Sequence, residues 1–76
     1  MSPEKLVYMA NQIGRFFAHQ GEAQAIVSTA DHLRKFWAPR MRKAILDYVE
    51  SGGEGLEPLV KHSILSLGAK ASTLPP

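Results

Sequence analysis

Four stretches of the chain repeat apolar residues every three or four positions, and each predicts an amphipathic helix. In the first, Leu6, Met9, Ala10, Ile13, Phe16 and Phe17 make one continuous stripe. Ser2 suits the cap, Pro3 the first helical position and Glu4 the positive end of the dipole. Gly21 supplies a left-handed stop, so this helix should end near Gln20. The second helix carries Ala23, Ile26, Val27, Ala30, Leu33 and Trp37 on its expected inner face, with Phe36 at the flank. Pro39 ends it and opens the third, whose inner face is Met41, Ile45, Tyr48 and Val49. Gly52-Gly53 closes the third helix, and the glycine-rich loop from Ser51 to Gly55 leads to the last. That helix starts at Pro58, aligns Leu56, Val60, Ile64 and Leu67, and is expected to stop at Gly68. Residues 69–76 end in Pro75-Pro76, have no period and read as a flexible C-terminal tail. The expected fold is all-α: a small bundle of four short helices forming a single domain over residues 1–68. Its tight connections imply mostly antiparallel neighbours.

Several residues stand apart from these stripes. Ala10, Gly14 and Ala18 form a ridge of small side chains on the first helix. A glycine inside a helix costs about 1 kcal/mol relative to alanine, so close packing is expected there, either at a buried interface with a partner or against helix two or three. Val7, Leu46, Leu59 and Leu65 lie off the core faces. Leu46 shares a side of helix three with Arg42, which would make one mixed contact strip.

Composition narrows the chemistry. The 76 residues are 45% hydrophobic and 21% charged, the profile of one small globular domain. A chain this short buries only about 60% of its unfolded surface, so a permanent partner would add usefully to its stability. Cysteine is absent, which removes disulfides, thiolate nucleophiles, thiolate zinc sites and cysteine-held iron–sulfur clusters. No run of about 18 apolar residues is present to span a membrane. No apolar segment follows the opening Met-Ser-Pro-Glu-Lys, so a cytoplasmic location is expected.

Catalytic and metal patterns are weak. His19, His32 and His62 do not stand three or four residues from one another, and Asp31 and His32 point about 100° apart on a helix. No hydroxyl nucleophile shows a local triad signature. Gly52-Gly53-Glu54-Gly55 lacks the Lys-Ser/Thr ending and the preceding strand of a phosphate loop. The chain is therefore expected to be neither an independent enzyme nor a cofactor carrier.

Charge is concentrated between residues 34 and 43. Arg34, Lys35, Arg40, Arg42 and Lys43 are five of the nine basic residues, and they surround Phe36, Trp37 and Met41. Arg34 and Lys35 suit the negative end of helix two. Arg40, Arg42 and Lys43 sit beside the positive end of helix three, each at a cost of roughly 0.3–1 kcal/mol at low salt. Either the arginines satisfy the last carbonyls of helix two, or the cluster is a surface awaiting carboxylates or phosphates. On the second reading the protein interface comprises Arg34, Lys35, Trp37, Arg40, Arg42, Lys43 and Leu46, since Arg and Trp dominate interface hot spots. A small basic nucleic-acid binder is the competing class. A net charge of only +2, with a pI near 9.2, and the absence of a clear recognition helix weigh against it.

Three segments carry a family resemblance. They are Lys5-Leu6-Val7-Tyr8-Met9-Ala10-Asn11-Gln12-Ile13 with Arg15-Phe16-Phe17, Ala30-Asp31-His32-Leu33-Arg34-Lys35-Phe36-Trp37 leading into Pro39-Arg40-Met41-Arg42, and Gly52-Gly53-Glu54-Gly55-Leu56-Glu57-Pro58-Leu59-Val60. Together, over residues 4–67, they resemble the delta subunit of NAD-dependent formate dehydrogenases. The family pattern often has an acidic residue between the Trp and the Pro, where this chain has Ala38. The resemblance implies a non-catalytic accessory subunit of a cytoplasmic complex, acting in assembly or stability, or a dissociable assembly chaperone for it. It implies a large alpha subunit as partner, with a molybdenum or tungsten pterin, alongside beta and gamma subunits. Iron–sulfur clusters, FMN and NAD would belong to those other chains, with no cofactor on this one.

Overall fold

The computed structural model describes the backbone of residues 2–72 and the side chains of residues 2–68. Its helices are α1 (Pro3–Phe17), α2 (Glu22–Phe36), α3 (Pro39–Glu50) and α4 (Pro58–Ser72). No strand occurs among the described residues.

Ser2 caps α1 as expected, its Oγ accepting from the Lys5 N–H at 3.3 Å. The helix tightens into a 3₁₀ turn over Ala18–Gln20 and then reverses at Gly21, where φ is +92°. α3 ends in a Schellman arrangement: the Gly52 N–H donates to the Val49 carbonyl and the Gly53 N–H to the Tyr48 carbonyl. Gly52 takes φ +129° there, a conformation that L side chains resist.

The core joins all four helices through Leu6 and Ala10, Leu33 and Trp37, Ile45 and Val49, and Val60 and Ile64, with Leu56 from the loop. α4 packs against each of the other three. Gly14 makes its approach possible. A Cβ on Gly14 would stand 2.5 Å from Val60 Cγ2, so at the centre of the small-residue ridge the close neighbour is α4 and not helix two or three, while Ala18 is exposed.

Two further expectations are corrected. The buried face of α2 is Ala25, Thr29, Ala30 and Leu33, whereas Ala23 is exposed, Ile26 half-buried and Val27 60% exposed. Small side chains let α2 approach α4, and Ser63 of α4 donates its hydroxyl to the Ile26 carbonyl at 3.0 Å. Gly68 does not end α4. The helix continues through it to Ser72 because the missing Cβ leaves room for Leu46, whose Cδ1 would lie 2.9 Å from one. The expected tail is thus helical over residues 69–72, and its remainder, residues 73–76, lies outside the described residues.

The loop into α4 is braced from α1. The Asn11 side chain donates to the Gly55 carbonyl at 2.9 Å and accepts the Glu57 N–H at 3.0 Å. Arg15 pairs with Glu57 at 2.8 Å, and the Tyr48 hydroxyl donates to the Glu54 carbonyl at 2.7 Å.

Candidate interaction surface

The turn between α2 and α3 is extended at Trp37 and Ala38, with ψ 140° and 149°, the second as the following Pro39 requires. This swings the Trp37 side chain inward. Only 6% of the residue is accessible, and its ring belongs to the core. The interface expected from sequence therefore does not present its tryptophan.

The cations of the same corner have separate duties. Arg42 is half-buried, and its guanidinium donates to the Arg34 carbonyl at 2.8 Å and to the Trp37 carbonyl at 2.6 Å. It is a side-chain cap on the end of α2, supplied by α3. That placement accounts for one of the positive charges at the wrong end of α3: it serves the neighbouring helix. Arg34 and Lys35 both reach Asp31, at 3.0 and 3.1 Å. Lys43 pairs with Asp47 at 3.2 Å. All three pairs are solvent-exposed, where such contacts contribute about 0.2–1 kcal/mol or less. Leu46 lies against Gly68 and is half-buried. Arg40 alone among these cations has no hydrogen bond or ion pair among the described residues, and it is exposed.

Beside this corner lies a surface that the sequence pattern did not separate from the core. Phe16 and Phe36 are 71% and 72% exposed. Between them runs an unbroken series of ring contacts. Phe16 meets Phe17 edge-on at 5.0 Å between centroids, Phe17 meets His32 at 6.2 Å, and His32 meets Phe36 at 4.7 Å. The ladder crosses from α1 to α2. The apolar stripes predict Phe16 in the core and Phe36 at its flank, and both are exposed instead. The available signal was length: both phenylalanines occupy the final turns of their helices, at the ends of their apolar stripes.

Among the described residues no group of three or more His, Cys, Asp or Glu is placed to hold a metal ion. His19 contacts the Phe16 carbonyl, and His32 is engaged by rings. No helix is long and apolar enough to cross a membrane.

The sequence matches the family described as NADH-dependent formate dehydrogenase delta subunit FdsD over residues 5–64. The chain belongs to that family. The matched span takes in α1, α2, α3, the glycine loop and the first turns of α4. The resemblance read from the three sequence segments is thus to the right family. No curated protein and no solved structure matches the chain. Within the delta-subunit family, Ala38 leaves α3 without a side-chain cap: its backbone has the extended geometry of a cap residue, but it offers no oxygen to the helix.

Proposed function

We propose that this delta subunit is a non-catalytic accessory chain that binds the large catalytic subunit of a formate dehydrogenase and supports the assembly or stability of the complex. Membership of the delta-subunit family over residues 5–64 is the observation that carries this reading. Its residues support it. The sequence has no cysteine to hold an iron–sulfur cluster. Its polar side chains are spent on caps, loop braces and surface pairs rather than converging in a cleft. The pterin metal, iron–sulfur, FMN and NAD chemistry accordingly belongs to the other subunits. Binding to one state of the large subunit raises the population of that state by linkage, without any bond being made by this chain.

Co-expression of the tagged chain with its formate dehydrogenase subunits tests the reading. The large subunit should co-purify in a fixed ratio. Deletion of this chain should lower the amount or lifetime of assembled enzyme while leaving the turnover of each assembled molecule unchanged. Failure of the large subunit to co-migrate, or an altered turnover per molecule, would contradict it. A fixed ratio in purified active enzyme marks a resident subunit, and loss from that enzyme marks an assembly chaperone. The Arg40/Arg42 pair is a poor joint probe, because Arg42→Ala also removes the α2 cap.

A further inference from the structure

The ring ladder joins the end of α1 to the end of α2, and the exposed guanidinium of Arg40 stands in the first turn of α3 that follows. Met9, Ile13 and Phe16 share a side of α1 through their three- and four-residue spacing, and the first two are half-buried. Phe17 carries that flank across to His32 and Phe36 of α2. At the other end Leu6, one turn before Met9, forms a surface groove with Ala38, Arg40, Met41 and Ala44. Leu6 itself is buried, so the exposed parts of this flank are the two phenylalanines and the edge of the groove, where the Arg40 guanidinium has no hydrogen bond or ion pair among the described residues.

This differs from scattered surface hydrophobics, which are ordinary. Two exposed phenylalanines joined by half-buried rings, together with an exposed arginine, have the make-up of an interface centre. Charge indicates the chemistry of the occupant. Arg34, Lys35 and Lys43 pair with Asp31 and Asp47, and Arg42 with backbone carbonyls, whereas among the described residues the Arg40 guanidinium, a planar fork of donors suited to a carboxylate, has no partner. From these observations, and resting on the accessory-subunit reading, we infer that this flank is the docking surface. Its occupant is an apolar segment of the large formate dehydrogenase subunit that inserts beside Phe16 and Phe36 and sets an Asp or Glu on Arg40. Trp37 acts beneath it as a core support.

The test is retention of the large subunit by tagged variants in the co-expressed complex. Phe16→Ser, Phe36→Ser and Arg40→Gln should each reduce retention about tenfold or more. Arg40→Glu should reduce it further than Arg40→Gln. Val27→Ser is the control, since Val27 is 60% exposed but lies nine residues from Phe36, on the opposite face of α2. It should retain the large subunit like wild type. Circular dichroism and thermal midpoints of each variant establish that the helices persist. If the three surface variants bind as wild type does, the docking surface is wrong while the accessory role stands. If wild type itself fails to bind, both readings fall. A dimer of the isolated chain that depends on Phe16 and Phe36 and persists in place of the large subunit would also overturn the assignment.

Discussion

Thr29 and Ser63 are both fully buried polar residues, but only one is satisfied. The Ser63 hydroxyl lies 3.0 Å from both the Ile26 and Leu59 carbonyls. The Thr29 Oγ1 has no hydrogen-bond partner among the described residues. An unsatisfied buried hydroxyl costs about 1–3 kcal/mol, so the near-isosteric Thr29→Val should stabilise the fold by about 1 kcal/mol. Ser63→Ala should destabilise it by a similar amount, and chemical denaturation of the two variants would display the opposite signs. Glycine supplies a second contrast. Gly14→Ala gains about 1 kcal/mol in helix propensity but drives a methyl into the fully buried Val60, for an expected net loss of about 1–2 kcal/mol. Gly68→Ala meets the end of the half-buried Leu46 side chain, which can shift, and should cost less than Gly14→Ala. Neither the empty hydroxyl nor the difference between these glycines is legible in sequence, because both depend on which atoms of α4 arrive opposite them.

Helix boundaries are encoded locally, and that is why most were legible. Ser2-Pro3, Gly21, Pro39, Gly52-Gly53 and Pro58 act through caps, fixed φ or positive φ at their own positions. The misread boundary, Gly68, is a glycine retained for interhelical space. α2 was misread in rotation for a related reason. Ranking residues by apolar size favours Val27 over Thr29, whereas close contact with α4 favours the smaller Ala25 and Thr29. The weakest junction is the start of α3, where Ala38 has φ −63° and ψ 149° but no side-chain acceptor. Ala38→Asp should cap the Arg40 or Met41 N–H and stabilise the chain by about 1 kcal/mol. For a domain this small, that corresponds to a rise in thermal midpoint of about 4–8 °C, measurable by calorimetry.

For the molecule as a whole, the basic run between Arg34 and Lys43 was conspicuous in sequence but divides its labour once folded. Arg42 joins α2 to α3, three other cations pair within their own helices, and Arg40 remains outward. Sequence spacing gave no means of telling these duties apart, since each is fixed by the direction the chain takes after Trp37. Phe16 and Phe36 were obscured for the converse reason: they continue apolar stripes beyond the point where another helix covers them.

The Asn11 clamp bears on how the chain acquires its shape during synthesis. One carboxamide near the amino end grips two backbone groups that follow it by 44 and 46 residues. A ribosome exposes Asn11 long before Gly55 and Glu57, and until they emerge α1 has no α4 to receive its glycine notch. The nascent polypeptide must therefore wait for α4 before the interior closes, and its apolar faces stay uncovered throughout that interval.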